Sequence, residues 1–234
     1  MRLSKAERAP DVASGLALAA LRPSEYTAAL IHVLQGRADR VRGARVLEIG
    51  SGSGVVMAAL AGLGAAAVCG VDIEEDAVAA GMLLLDELGH RSVAEFRTGD
   101  LWQPIGDRRF DLIVANLPHF PMTEGSLPGR RPTWTVGGPD GRRLLDRFLA
   151  GLSAHLVMGG RAFITHNAFV DLARSRALLA PSGLHLEVVQ SVLVNLGDDK
   201  LARMTPEVLA AALGRTIHRY GPYAFGELHI VEIA

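Results

Sequence analysis

Arg45-Val46-Leu47-Glu48-Ile49-Gly50-Ser51-Gly52-Ser53-Gly54 is the stretch that decides the fold. A short apolar run reads as a strand, and the glycines after it let the backbone turn sharply and let a ligand approach main-chain atoms. The helical pattern from Val55 completes a strand–turn–helix unit. Outward from this unit, short β-branched runs alternate with longer helical patterns, the signature of a mostly parallel sheet wrapped by helices. Strands are predicted at 45–49, 67–71, 93–97, 110–115, 160–165, 184–196 and 227–233. Helices are predicted at 55–63, 74–88 and 168–179, with one N-capped by Asp140 running to about 156 and another capped by Thr205 with Pro206 at its first position. Residues 117–139, rich in proline and glycine, read as a long loop of the kind that serves as a lid. The result is an open, twisted α/β sheet of seven strands, the final pair joined without a crossover pattern.

Composition narrows the class. Lys+Arg 24 against Asp+Glu 25 leaves a net charge of −1, so no basic field recruits nucleic acid or an anionic membrane. Nearly all the cations are arginine, a skew that reads as a GC-rich genome. One cysteine, Cys69, excludes an internal disulfide framework and any multi-cysteine zinc site. With 49% hydrophobic residues the chain can bury a core. Residues 12–21 are apolar but too short to span a membrane, and are expected to form a helix packed on the domain. The missing targeting signal and single cysteine point to the cytoplasm.

Three acids fall at the ends of the first three predicted strands, where open α/β sheets bind ligands. Glu48 precedes the glycines, Asp72 ends the second strand, and Asp100 follows the third in Gly99-Asp100-Leu101. A carboxylate at position 48 repels a pyrophosphate but suits an ammonium or sulfonium. The dinucleotide fingerprint also fails, because Val55 stands where its third glycine belongs. Asp72 can accept from both hydroxyls of a ribose. Asp100 can accept from an adenine amino group, while Leu101 or Trp102 covers the ring.

From the 48–54 loop, Asp72, the 99–101 turn and the motif that ends strand four, the chain resembles the class I S-adenosylmethionine-dependent methyltransferases over about residues 44–166. The resemblance implies a Rossmann-like seven-stranded sheet, mostly parallel with an antiparallel last strand and helices on both faces, N-terminal helices over 1–42 and a methyltransferase catalytic domain over 43–234. S-adenosyl-L-methionine is the implied cofactor. Glu48, Gly50, Ser51, Gly52, Gly54, Asp72, Ile73, Gly99, Asp100, Leu101 and Asn116 are its implied contacts, and no metal is implied.

Strand four ends in Asn116-Leu117-Pro118-His119, similar to the Asn-Pro-Pro-Tyr tetrapeptide of methyltransferases that act on planar nitrogen. An amide nitrogen is a poor nucleophile because its lone pair is delocalised into the carbonyl. If the Asn116 side-chain oxygen and the Leu117 carbonyl each accept one N–H, that nitrogen is held with its lone pair aimed at the methyl, and Pro118 stiffens the turn. His119 stands where the family has an aromatic; it either stacks on the substrate group or acts as a base. Phe120, Tyr26 and His166 are candidate substrate contacts, and Asn167, beside His166 after strand five, reads as a second polar contact or as part of a capping pair. Residues 136–141 resemble the Gly-Gly-x-Asp-Gly segment of release-factor glutamine methyltransferases, and residues 22–27 that family's proline-led segment. Fewer than 45 residues precede strand one, too few for that family's N-terminal docking domain, so a small-molecule acceptor is expected ahead of a protein side chain. No membrane or nucleic-acid partner is expected, and the sequence specifies no oligomeric state.

The expected activity is methyl transfer to a planar amide or amine nitrogen. An O-methyltransferase with a histidine base and a non-catalytic S-adenosylmethionine-binding protein are the alternatives. Arg130, Arg131, Arg142, Arg143 and Arg147 read as a solvated face rather than a substrate clamp.

Overall fold

The computed structural model describes residues 22–125 and 131–234; the helix expected over 12–21 and Arg130 lie outside them. The chain enters through α1 (Glu25–Gly36) and a short α2 (Ala38–Val41). It then builds β1 (Arg45–Ile49), α3 (Val55–Gly62), β2 (Ala67–Asp72), α4 (Glu75–Glu87), β3 (Ala94–Thr98) and β4 (Phe110–Ala115). After the long loop come α5 (Leu145–His155), β5 (Leu156–Asn167), α6 (Leu172–Leu179) and β6 (Leu186–Asn195). The C-terminal part holds α7 (Asp198–Arg203), α8 (Pro206–Ala212), β7 (Ile217–Tyr220) and β8 (Tyr223–Ile233).

The sheet order is β3-β2-β1-β4-β5-β8-β6, with β7 paired to β8. The first five strands run parallel, and β8 lies antiparallel between β5 and β6. The sheet therefore has eight strands rather than seven. The extra one, β7, forms a hairpin with the front of β8, pairing Ile217 with Gly226 and Tyr220 with Tyr223. Two helix starts also differ from expectation. Asp140 accepts from the Arg142 N–H in a tight turn, and α5 begins only at Leu145. Helix α6 begins at Leu172, capped by Asp171, whose side chain accepts from the Arg174 N–H.

Both faces of the sheet are covered, which is why its central strands are almost uniformly apolar. On β1, Val46 packs with α1 and α3 while Leu47 and Ile49 face α5 and α6. Helix α1 buries Ala29, Leu30, Val33 and Leu34 against that first face, with Leu30 and Leu34 fully inaccessible. Each such leucine removed from water contributes about 1.5–3 kcal/mol. This anchors α1 across β5, β6 and β8, beside α3.

Gly54 sets how tightly the cofactor loop joins the next layer. It has φ of +77°, and a Cβ there would stand 2.8 Å from the Cα of Gly81 on α4. Gly54→Ala therefore combines left-handed strain with a backbone clash, and unfolding in urea should show a loss of at least about 2 kcal/mol. Unchanged stability would mean that α3 and α4 are free to separate.

Candidate active site

The C-terminal ends of β1, β2 and β4, the turn after β3 and the front of α1 surround one cleft of about 350 Å³. Glu48, Ile49, Gly50, Ser51, Gly52, Ser53, Asp72, Ile73, Gly99, Asp100 and Leu101 line one half. Tyr26, Thr27, Asn116, Leu117, Pro118, His119, Phe120 and Asn167 line the other. Two predicted residues lie elsewhere. Gly54 caps α3 and packs on α4, and His166, within β5, is wholly buried and does not line the cleft.

In the first half, Gly50 and Gly52 are both left-handed, and nothing lies within 4 Å of a Cβ built on Gly52. The carboxylate of Asp72 accepts from the Gly52 N–H at 2.8 Å and the Glu74 N–H at 3.0 Å, which pins the loop to the end of β2. Glu48 is 2% exposed, and its Oε2 has no hydrogen-bond partner among the described residues; nor has Ser51 Oγ. Burial, reinforced by the neighbouring Asp72, pushes the Glu48 carboxyl well above its usual range. An unpartnered buried carboxylate oxygen is costly until a donor or cation meets it. Ile73 is 57% exposed at the rim and offers an apolar face. A cationic ammonium, a ribose and a planar base thus each find a matching group, so these residues fit S-adenosylmethionine.

The turn after β3 resolves one alternative. Leu101, with φ of +49°, faces the cleft, whereas Trp102 turns away and stacks on His155 and Phe148 at centroid distances of 4.4 and 5.1 Å. Asp100 lines the cleft, but its Oδ2 accepts from Arg147 at 2.7 Å. Arg142 is not on a solvated face: at 2% exposure it is ion-paired to Asp146 and donates to the Asp171 carbonyl and Ser175 Oγ.

In the second half, His119 departs from both sequence expectations. It is 3% exposed, its Nε2 accepts the Asn167 N–H at 3.0 Å, and its Nδ1 lies 2.5 Å from the Leu117 carbonyl oxygen. Because Nε2 takes a backbone N–H, the ring proton is on Nδ1 and is donated to Leu117. Burial lowers its pKa to about 4, so the ring is neutral near pH 7. Neither nitrogen is left to take a proton from a substrate, and its burial leaves little ring face to stack. His166 is similar: Nδ1 donates to the Asn167 carbonyl at 3.0 Å, Nε2 meets Ser175 Oγ at 2.9 Å, and burial lowers its pKa to about 3.

Asn116 is held from both sides. Thr165 Oγ1 donates to its Oδ1 at 2.8 Å, and its Nδ2 donates to Thr27 Oγ1 at 3.3 Å. Tyr26 donates to Asn167 Oδ1 at 2.8 Å, and its ring meets His119 edge-on at 6.0 Å. Phe120 is 7% exposed and packs edge-to-face on Phe169 at 6.1 Å. Gly137 and Gly141 back this turn: a Cβ on Gly137 would stand 2.8 Å from the His119 Cα, and one on Gly141 2.6 Å from the His119 carbonyl oxygen. Thr27 and Thr165 were not among the predicted site residues. Strand alternation could have found Thr165, since it lies with Asn167 on the face of β5 that α1 covers.

The long loop roofs both halves. Met122 and Gly138 form an antiparallel bridge, and Phe120 and Val136 a parallel one. Farther on, Arg131 pairs with Glu74 and Asp76, Thr133 donates to Glu74, and Trp134 packs on Ala77 and Ala80 of α4.

Residues 46–127 match the methyltransferase domain family. A Methanocaldococcus jannaschii chain assigned as a protein N5-glutamine methyltransferase is 32% identical over 172 residues, covering 72% of this chain and 85% of that one. The release factor glutamine methyltransferase of Xylella fastidiosa is 32% identical over 174 residues, covering 71% of this chain and 62% of that enzyme. This chain therefore spans less than two thirds of that release-factor enzyme's length. Among solved structures, YcgJ of Bacillus subtilis aligns with a TM-score of 0.63 at 14% identity, covering 88% of this chain and 97% of that one. The E. cuniculi Mtq2-Trm112 complex, responsible for methylation of the eRF1 translation termination factor, aligns at 0.56 and 17% identity, covering 91% and 96%. Both share the fold. Among the described residues no helix is long and apolar enough to cross a membrane.

The histidine environment makes a direct prediction. Both folded pKa values lie below the free value of about 6.5. Between that value and about 4 the unfolded chain binds protons that His119 and His166 refuse, so their contribution to stability is lost as pH falls through this window. In a nuclear magnetic resonance titration from pH 8 to 5, both imidazoles should stay neutral. A midpoint near 6.5 for either would overturn this description of the buried site.

Proposed function

The chain belongs to the class I S-adenosylmethionine-dependent methyltransferases, in the glutamine N-methyltransferase branch, and from that premise we propose that it methylates the side-chain amide nitrogen of a glutamine in a protein. The observation that carries the reading is Asn116 Oδ1 beside the Leu117 carbonyl on the cleft wall, two acceptors suited to the two N–H groups of a primary amide. The relatives assigned to glutamine act on proteins by name, and nothing supports the small-molecule acceptor preferred from the sequence. The reading keeps the cytoplasmic location expected from the sequence.

When bound, S-adenosylmethionine supplies a methyl group on a positively charged sulfonium. Glu48, with its unpartnered oxygen, would receive the ammonium end, and Asp72 would accept from the ribose hydroxyls. Ile73 and Leu101 would flank the adenine. Asn116 Oδ1 and the Leu117 carbonyl each accept one N–H of the glutamine amide and turn its lone pair toward the methyl, so that positioning lowers the barrier. The cofactor would supply the methyl group, its S–C bond giving way to the new N–C bond, and the methylated nitrogen would then give up a proton to water. Neither histidine takes it, since both are buried with both ring nitrogens engaged. The same fact argues against an O-methyltransferase with a histidine base.

The test is transfer from methyl-labelled S-adenosylmethionine to a purified bacterial release factor, with the modified residue located by mass spectrometry. Label on a glutamine is the expected result, and its rate should be flat between pH 6 and 8. Asn116→Ala should lower the rate about 100-fold or more while S-adenosylhomocysteine affinity, read by calorimetry, changes less than about twofold. Label on a hydroxyl, or an Asn116→Ala enzyme that turns over normally, overturns the assignment.

A further inference from the structure

Neither acceptor on the cleft wall orients itself. An asparagine amide presents oxygen on one side and nitrogen on the other, and rotation by half a turn would replace an acceptor by a donor. A carbonyl at a loop turn keeps its direction only if neighbouring groups hold it. Resting on the N-methyltransferase reading, we propose that Thr27 and His119 are positioning residues: Thr27, with Thr165, fixes the Asn116 amide oxygen-outward, and His119 fixes the Leu117 carbonyl.

Two threonines hold the Asn116 amide from opposite sides. Thr27 Oγ1 accepts the Ser24 N–H at 3.4 Å in the first turn of α1, and accepts Asn116 Nδ2 at 3.3 Å. In this arrangement the nitrogen of Asn116 is turned to Thr27 and its oxygen away from it. The Thr165 hydroxyl, 2% exposed, supplies the opposite partner by donating to Oδ1. The oxygen keeps one lone pair for a substrate N–H.

The carbonyl is held through a longer run. Tyr26 donates to Asn167 Oδ1, and Asn167 donates its N–H to His119 Nε2. This places the imidazole proton on Nδ1, from which it is donated to the Leu117 oxygen. Gly137 and Gly141 close against the His119 backbone from behind, leaving it no room to retreat. Both acceptors thus trace back to neighbouring residues of one helical turn, Tyr26 and Thr27, and across the cleft to Thr165 and Asn167 at the end of β5. The front of α1 is on this account part of the acceptor machinery.

Two measurements test this, one of which needs no substrate. Nitrogen-15 spectra of the full chain at pH 7 should show His119 protonated on Nδ1, the minor form of free histidine, and one Asn116 side-chain N–H shifted by its bond to Thr27. A His119 protonated on Nε2, or an Asn116 amide spectrum unchanged by Thr27→Val, overturns the proposal whatever the chain methylates. With the release factor as acceptor, Thr27→Val and Thr165→Val should each lower kcat about tenfold, with the cofactor Kd within about twofold. Thr27→Ser should restore most of the loss. A Thr27→Val enzyme with unchanged kcat, or a Thr27→Ser enzyme no better than it, refutes the positioning role. If the wild-type chain modifies no glutamine, the functional reading fails while the spectra still decide the geometry.

Discussion

The acceptor half of the cleft depends on the buried main chain of Asn167. Its N–H goes to His119, its C=O receives His166, and its side-chain oxygen receives Tyr26. Arg142 can only donate, and it donates to Ser175 Oγ, leaving the serine proton for His166 Nε2. The run from Arg142 through Ser175, His166, Asn167 and His119 to Leu117 therefore has one polarity. Breaking any link strands a buried donor or acceptor, at about 1–3 kcal/mol each. That penalty keeps a polar seam narrow and single-valued in the middle of an apolar molecule.

The cofactor half works differently. Its glycine loop is held by a carboxylate, Asp72, that accepts two backbone N–H groups, while Glu48 and Ser51 keep buried oxygens without protein partners. One half is satisfied before anything binds, and the other is completed by its ligand. The division suits the cofactor and the proposed acceptor. A cofactor carrying its own cation can offset a buried acid, whereas the neutral amide proposed as acceptor would offer little energy beyond its two hydrogen bonds.

What could be read from the sequence follows from how local each cause is. The stretch 45–116 was legible because central parallel strands are apolar throughout and because each acid stands at a strand end, a one-dimensional signal. Helix starts near 140 and 168 were not, since Asp140 forms a tight turn and Asp171 supplies the later cap. Strand β7 escaped because four residues carry too little alternation to separate from a loop. The role of His119 was hidden for a deeper reason. Whether an imidazole is base, stacking ring or strut depends on its burial and on which backbone groups face it, and these come from β5, almost fifty positions away. Alternation along β5 would have separated His166 from Thr165 and Asn167, had the face covered by α1 been known beforehand.

Gly137 and Gly141 leave the active-site turn without a conservative substitute. A worn leucine can become a methionine, and an arginine a lysine, with something of the original kept. Glycine has no smaller neighbour to mutate into, and every replacement brings a Cβ into the backbone of His119. Arginines on the outside that pair only with a nearby acid, such as Arg37 with Glu232 and Arg174 with Asp140 and Asp146, can drift with the base composition of the genome. Genetic variation in this protein is thus channelled: the surface absorbs it freely, while two atoms' worth of missing volume behind one histidine absorb none.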